Sequence, residues 1–262
     1  MMEKQHVGEF DLAFQDRGEG EDIVILLHGF CGSSAYWQEV VPLLDSSRVI
    51  TIDLRGHGES GMNDSPFSIE DMAKDIHYFM DQKQLDNVYI FGHSLGGYVT
   101  LAVADLYGEK LKGFGLIHST ALPDNEVAKE KRLKSIEVIK EKGMNAFVDE
   151  LVPKLFNPHK MKELASEIRL AKEIGNETSP VGAVETLKAM RNRKDRSHVI
   201  QNSNTPVLLI AGEHDQIIPK ENVFHEAAHT HTRVLSESGH MSLLEEPEKL
   251  AYTLKEFINK KQ

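Results

Sequence analysis

Five short apolar runs rich in valine, isoleucine and leucine alternate with helical patterns along this chain of 262 residues. The runs cover residues 23–27, 48–53, 87–91, 113–118 and 206–211. Continuous apolar runs of this length are typical of parallel strands that are buried on both faces of a sheet. Residues 68–82, between two of the runs, repeat apolar side chains at helical spacing. The alternation predicts an α/β fold with a doubly wound, mostly parallel sheet.

Two further strands are expected outside this regular pattern. Residues 9–15 alternate between apolar and polar side chains, as a strand at the edge of a sheet does. Residues 232–236 are a plausible last strand near the end of the chain. We therefore expect the sheet to include a strand before the first buried run and another after the last one.

The region 121–203 interrupts the alternation, because it holds four consecutive helical patterns and no convincing strand. We predict an inserted helical lid there, over a core made of residues 1–120 and 204–262. Gly143 and Gly175 stand where lid helices would end, and Ser179 followed by Pro180 would begin the last of them. The apolar stripes of these helices are expected to form the interior of the lid and, in part, to line a pocket.

Charge and cysteine content exclude several classes of function. The chain has 41 acidic and 30 basic residues, a net charge of −11 that disfavours nucleic acid or an anionic membrane as a partner. Cys31 is the only cysteine, so no intrachain disulfide can form. Residues 1–10 lack the apolar core of a signal peptide, and no apolar run reaches the length of a membrane span. We expect a cytoplasmic protein, of an oligomeric state that the sequence leaves open.

The segment 92–96, with the sequence GHSLG, directly follows one of the apolar runs. A glycine on each side of Ser94 suits a sharp turn from strand to helix, in which the serine is strained and its Oγ is exposed. Three fixed positions of this kind recur by chance in roughly one chain of this length in ten. The assignment of Ser94 as a nucleophile therefore depends on the other groups that such a reaction needs.

Acyl transfer by a serine needs a base, an acid that orients the base, and donors for the developing oxyanion. Asp215 lies just after the run 206–211, and His240 follows the last candidate strand. A glycine-containing turn after residue 27 can aim the backbone N–H of Phe30 at a substrate carbonyl, and Leu95 supplies a second N–H beside Ser94. The sequence thus offers a candidate for each of the four groups.

These segments together resemble the α/β-hydrolase superfamily over nearly the whole chain. The matching segments are HGFCGS after one strand, DLRGHGES after the next, GHSLGG at the turn, and the later GEHD and SGHM. The resemblance implies that Ser94 is the nucleophile, Asp215 the triad acid and His240 the base. It also implies oxyanion donors at Phe30 and Leu95, and a reaction without a metal or organic cofactor.

The activity that this resemblance implies is hydrolysis of a small-molecule acyl substrate through an acyl-enzyme. We expect a serine esterase that acts on a carboxylic ester of a small or medium hydrophobic acid. Lactone or C–C bond hydrolysis by the same triad is an alternative, and so is a ligand receptor of the same fold with little turnover. A serine at the turn argues against haloalkane dehalogenases and epoxide hydrolases, whose similar turns carry aspartate.

Several other residues have competing interpretations. Asp124, which follows the run 113–118, is an alternative triad acid. The charged loop DLRGHGES, with Asp53, Arg55 and His57, is interpreted as structural, with its charges paired to hold the loop. Cys31 is interpreted as a buried core cysteine rather than a nucleophile.

Residues 225–229 match the zinc-binding pattern H-E-x-x-H, which would indicate a metallohydrolase if the segment were a helix. We favour a surface helix that packs its apolar side on the sheet, and we predict no metal. Trp37, Tyr98 and Phe147 could line a substrate pocket, although core positions suit all three equally well.

Overall fold

The structure is a computed structural model that describes residues 2–224 and 227–260. Its described residues form one sheet of eight strands in the order β1-β2-β4-β3-β5-β6-β7-β8. The strands from β3 to β8 pair in parallel, whereas β2 runs antiparallel to both β1 and β4. The strands are β1 (Glu3–His6), β2 (Asp11–Arg17), β3 (Ile23–Leu27), β4 (Arg48–Ile52), β5 (Val88–His93), β6 (Leu111–Ile117), β7 (Val207–Gly212) and β8 (Thr230–Leu235). This architecture confirms the predicted α/β fold with a mostly parallel sheet.

Helices connect the parallel strands and flank the sheet. They are α1 (Ile69–Gln82), α2 (Leu95–Tyr107), α3 (Glu126–Leu151), α4 (Ala165–Asn176), α5 (Pro180–Arg191), α6 (Ser197–Gln201), α7 (Lys220–Val223), α8 (Ser242–Glu245) and α9 (Pro247–Asn259). Helix α1 begins with a capping box, in which Ser68 Oγ accepts from the Asp71 N–H and the Asp71 carboxylate accepts from the Ser68 N–H. No helix in the described ranges combines the length and apolar character needed to cross a membrane.

The antiparallel end of the sheet corrects one prediction. The strand expected at 9–15 lies at Asp11–Arg17, and it is not an edge strand because β1 pairs with its outer side. Strand β1 has the sequence EKQH and is largely exposed, so it carries no apolar alternation that sequence reading could detect. Its backbone pairing with β2 forms the strand without help from side-chain burial.

The stretch between β6 and β7 is helical, from α3 to α6. Gly143 has a φ of 81° and divides α3 into two helical parts, as predicted. Gly175 also lies where a helix ends, since α4 stops one residue later at Asn176, and a Cβ on Gly175 would come within 3.2 Å of the Val148 methyl groups. Ser179 caps α5 through its Oγ, which accepts from the Gly182 N–H at 3.3 Å. The lid boundaries at 121 and 203 stay a prediction.

Close backbone packing and buried ion pairs fasten these helices to the sheet domain. A Cβ on Gly182 of α5 would lie 2.4 Å from the Gly56 carbonyl oxygen, so only hydrogen fits between the two segments. The guanidinium of Arg193, just after α5, pairs with the buried carboxylate of Asp124. Arg196, also buried, binds Glu70 of α1 at 2.9 Å. The helical stretch is thus held at several points.

The contact between Gly182 and Gly56 predicts a specific loss of stability on adding a methyl group. Gly182→Ala should lower the free energy of unfolding by roughly 1–2 kcal/mol, because overpacking against backbone outweighs the gain in helix propensity of about 1 kcal/mol. Gly108→Ala is the matched control, since nothing lies within 4 Å of its Cβ position and its φ is −61°. Urea denaturation of both variants measures the difference. Equal stabilities would contradict the proposed close packing.

Candidate active site

Four side chains that can act as nucleophile, acid or base follow four neighbouring parallel strands. Ser94 follows β5, His118 follows β6, Asp215 follows β7 and His240 follows β8. The carboxyl ends of parallel strands lie at the same edge of a sheet, which is where ligands bind in open α/β folds. The order of these strands in the sheet is β5-β6-β7-β8, so the topology alone gathers the four residues.

The turn at Ser94 has the strained geometry that its sequence predicts. Ser94 has φ 50° and ψ −112°, and it stands at the N-terminus of α2 with its side chain partly accessible. A Cβ on Gly92 would lie 2.1 Å from the Gly96 carbonyl oxygen, and one on Gly96 would lie 2.4 Å from the Leu27 carbonyl oxygen. Ser119 Oγ donates a 2.7 Å hydrogen bond to the Ser94 carbonyl oxygen. Both glycines are therefore required for the backbone to pass this closely.

The two predicted oxyanion donors are unpaired among the described residues. Neither the Phe30 N–H nor the Leu95 N–H donates a hydrogen bond there to another protein group. The loop that carries Phe30 lies against the turn at Ser94, since a Cβ on Gly29 would come within 3.3 Å of Ser94 Cβ. The Leu95 N–H belongs to the first turn of α2, where the helix dipole favours negative charge. These groups can bind an anionic oxygen beside Ser94.

His240 and Asp215 form a buried hydrogen-bonded pair. His240 Nδ1 lies 2.8 Å from Asp215 Oδ2, and the two side chains are 3% and 0% exposed. The other oxygen of Asp215 accepts from the backbone N–H groups of Ile217 and Ile218 at 2.8 and 3.0 Å. Burial alone raises the pKa of Asp215, but the charge of His240 and the polar contacts of His118 and His240 outweigh it and hold the pKa below its ordinary value. An ionised Asp215 orients the imidazole and leaves its Nε2 available for a reacting proton.

A second carboxylate, which sequence reading missed, holds the loop around His240. Glu245 accepts hydrogen bonds from the backbone N–H groups of Gly239, Met241 and Asn157 at 2.9, 3.0 and 2.6 Å. The His240 N–H itself donates to the Leu155 carbonyl oxygen at 2.7 Å. Residues 155–157 lie between α3 and α4, so the helical stretch and the His240 loop are joined directly. Sequence patterns did not mark Glu245, because its partners are backbone N–H groups, one of which, that of Asn157, is distant in the chain.

The alternative acid, Asp124, binds elsewhere. Its carboxylate pairs with Arg193 and, at 3.1 Å, with Arg132 Nε, both from the helical stretch. By contrast, the carboxylate in hydrogen-bond contact with His240 is that of Asp215. Asp124 thus serves as an anchor for the helices after β6.

The charged loop after β4 is held by paired charges and hydrogen bonds, as expected. Asp53 accepts from the backbone N–H groups of Ser34 and Glu59 at 2.6 and 2.9 Å. Arg55 pairs with Asp75 of α1 through two 2.6 Å contacts rather than with Asp53. The loop is therefore tied both to the segment after β3 and to a helix.

Cys31 and the three aromatic candidates are all buried, and they differ in the groups that they contact. Burial raises the pKa of the Cys31 thiol well above its ordinary value, which makes it a poor nucleophile. Trp37 is fully buried in the core, and Tyr98 lies under the Arg193 guanidinium at 4.1 Å. The ring of Phe147 in α3 lies 5.9 Å from that of Phe30. Of the three aromatic candidates, Phe147 is the one in ring contact with a predicted oxyanion residue.

The zinc-like pattern at 225–229 does not form the expected helix in its described part. His225 and Glu226 lie outside the described residues. Helix α7 ends at Val223, and residues 227–229 form a turn that Thr230 closes by hydrogen bonding to Ala227. Within the described part of the chain, the donor atoms of His118, Asp215 and His240 lie within 4.8 Å of one another. Two members of this set, Asp215 and His240, belong to the predicted triad, and the 2.8 Å hydrogen bond joins these two side chains.

Most of the chain is similar to a known protein family. A family model described as alpha/beta hydrolase fold matches residues 22–247. The chain belongs to the α/β-hydrolase family. This finding confirms the family that the sequence motifs resemble.

Individual relatives of this α/β-hydrolase cover almost its whole length. A Bacillus subtilis (strain 168) protein with the provisional name 2-succinyl-6-hydroxy-2,4-cyclohexadiene-1-carboxylate synthase is 28% identical and covers 94% of both chains. The structure is similar to a thermophilic esterase from Thermogutta terrifontis, with a TM-score of 0.92, 28% identity and coverage of 99% and 98% of the two chains. It shares its fold with an enol-lactonase from Burkholderia xenovorans LB400, with a TM-score of 0.91, 21% identity and coverage of 98% and 100%.

Buried histidines around this site predict a steep loss of stability in mild acid. Burial lowers the pKa of His28 to about 4, and burial together with the charge of His28 lowers that of His57 to about 3. Below pH 6.5 the unfolded chain binds protons at these positions while the folded protein does not, so stability falls as the pH drops from 6.5 toward 4. His57→Asn should reduce this slope by roughly 1.4 kcal/mol per pH unit.

The exposed His229 provides the control for this slope. Free energies of unfolding measured between pH 4 and 7 should show an unchanged slope in His229→Asn. An unchanged slope in His57→Asn as well would show that His57 takes up its proton in the folded protein.

Proposed function

We propose that this α/β-hydrolase cleaves carboxylic esters of small or medium hydrophobic acids through an acyl-enzyme on Ser94. The observation that carries the proposal is the buried 2.8 Å hydrogen bond between His240 and Asp215, at the sheet edge where Ser94 is held in a strained turn. A serine is a weak nucleophile by itself, and an adjacent imidazole base makes it reactive. The assignment of Ser94, His240 and Asp215 to these roles is part of the proposal.

The proposed reaction has two steps. Ser94 Oγ attacks the ester carbonyl while His240 Nε2 takes the hydroxyl proton, and the ionised Asp215 stabilises the imidazolium that forms. The same imidazolium then protonates the departing alkoxide. In the second step His240 removes a proton from water as the water oxygen attacks the acyl carbon. The bond to Ser94 Oγ then breaks, His240 returns the proton to that oxygen, and the acid is released.

The N–H groups of Phe30 and Leu95 supply the proposed oxyanion site. Both are unpaired in the described part of the protein and lie beside the nucleophile turn, so they need no rearrangement when charge develops on the carbonyl oxygen. Donors placed in advance of the reaction contribute most in a site that excludes water. Loss of one such donor typically slows the reaction by a factor on the order of 10² to 10³.

Aromatic side chains beside the proposed oxyanion site favour a substrate with a hydrophobic acyl group. The Phe30 ring belongs to the same residue as one of the proposed oxyanion N–H groups. It contacts the ring of Phe147, which is buried on α3. An acyl chain whose carbonyl oxygen reaches the Phe30 N–H would therefore meet aromatic side chains. The similarity to the Thermogutta terrifontis esterase supports ester substrates, and lactones share the same bond type.

Replacement of the proposed nucleophile tests the activity. Ser94→Ala should lower kcat on p-nitrophenyl butyrate by at least roughly 10³-fold, because the first covalent bond cannot form. Cys31→Ala is the matched control, since it removes the buried thiol of the residue after Phe30; its kcat should stay within about threefold of the unaltered protein. Turnover by Ser94→Ala at a rate similar to that of the unaltered protein would refute the mechanism.

A substrate panel tests the finer assignment. We expect the highest kcat/KM on aliphatic esters with short or medium acyl chains, compared with lactones and with diketones that are cleaved at a C–C bond. A higher kcat/KM on a C–C substrate, lost in Ser94→Ala, would refute the ester assignment and retain the nucleophile.

A further inference from the structure

His118 is a buried histidine that the proposed reaction does not use. It follows β6 and is fully buried, between the nucleophile strand β5 and the acid strand β7. Its φ is 49°, so it shares with Ser94 a left-handed backbone that is uncommon outside glycine. Strained residues of this kind persist where the surrounding structure holds them, and they cluster at functional sites.

The two ring nitrogens of His118 face two different groups of the site. Nε2 lies 2.7 Å from Ser242 Oγ, two residues beyond His240. Nδ1 lies 3.5 Å from Asp215 Oδ2, the same oxygen that His240 Nδ1 contacts at 2.8 Å. Nδ1 of His118 has no hydrogen-bond partner within residues 2–224 and 227–260. A buried nitrogen without a hydrogen-bond partner lowers the stability of the folded protein, so its presence calls for an explanation.

The surroundings of His118 determine which nitrogen carries its proton. Burial lowers the pKa of His118, so the ring is neutral and has a single N–H. If the Ser242 hydroxyl donates to Nε2, the proton stands on Nδ1 and points to the Asp215 carboxylate. The other tautomer would set a lone pair against an anionic oxygen. The charged and titratable groups around the ring are Asp215, Glu246, His240 and His93, the rings of the last two lying 5.7 and 6.0 Å away.

We propose that His118 is a positioning residue for the triad acid: its Nδ1–H, fixed in that tautomer by Ser242, shares Asp215 Oδ2 with His240. This inference rests on the proposed function, because it concerns how Asp215 acts on the base. A separation of 3.5 Å is longer than a formed hydrogen bond, and such contacts tighten when substrate binds or charge develops. The shared oxygen keeps the carboxylate oriented and spreads its charge over two imidazoles.

A pair of variants with the same branching separates this role from simple packing. His118→Asn keeps an N–H donor where Nδ1 stands and tolerates a positive φ, whereas His118→Leu keeps similar bulk without any donor. His118→Leu should lower kcat about threefold to tenfold, the equivalent of one hydrogen bond, with little change in KM. It should also move the acid limb of the kcat/KM profile to higher pH, because Asp215 then directs its charge to His240 alone. His118→Asn should restore both readouts.

Ser242→Ala gives a second test that does not depend on folding of the leucine variant. Without the hydroxyl, His118 can adopt either tautomer, so kcat should fall by a smaller factor and the acid limb should shift in the same direction. An unchanged acid limb in both His118→Leu and Ser242→Ala would overturn the inference, as would equal impairment of the asparagine and leucine variants. Ser94→Ala measured alongside keeps the two proposals apart, since full activity there refutes the proposed function itself.

Discussion

Parallel pairing of the strands from β3 to β8 is the constraint on which the candidate site depends. Parallel strands end at the same edge of the sheet, and here each of the last four is followed within five residues by a side chain that can act as nucleophile, acid or base. Ser94, Asp215 and His240 are separated by up to 146 residues in sequence, yet the register of the sheet brings them to one place. The strands from β3 to β7 can pair in this way because nearly all of their side chains are buried and most are apolar.

Backbone contacts turn this arrangement into a defined geometry. At the turn that carries Ser94, the absence of side chains at Gly92 and Gly96 allows backbone segments to pass within distances that a Cβ would forbid. Around His240, Glu245 accepts hydrogen bonds from three backbone N–H groups and joins the His240 loop to the segment between α3 and α4. The helical stretch after β6 is therefore more than a cover, because it contributes the Leu155 carbonyl that receives the His240 N–H.

Sequence patterns predicted the parts of this structure that local chemistry dictates. The buried strands were predictable because each is a continuous apolar run. The turn at Ser94 was predictable because only glycine leaves room for the backbone at positions 92 and 96. Strand β1 was not, since EKQH is polar and exposed and forms a strand only through its backbone partner. Glu245 and the Arg55–Asp75 pair escaped prediction because their contacts join distant segments. His118 did leave a signal, because it ended a predicted strand at the sheet edge where the other site residues stand.

We propose that Ser94, activated by the buried His240–Asp215 pair, becomes acylated during turnover. Rapid quenching of the protein during hydrolysis of an aryl butyrate ester, followed by peptide mass spectrometry, tests this directly. We expect a butyryl group on the peptide that contains Ser94, formed faster than the steady-state rate and absent in His240→Ala under the same conditions. Ester turnover without any acyl adduct, or with the adduct on another residue, would contradict it.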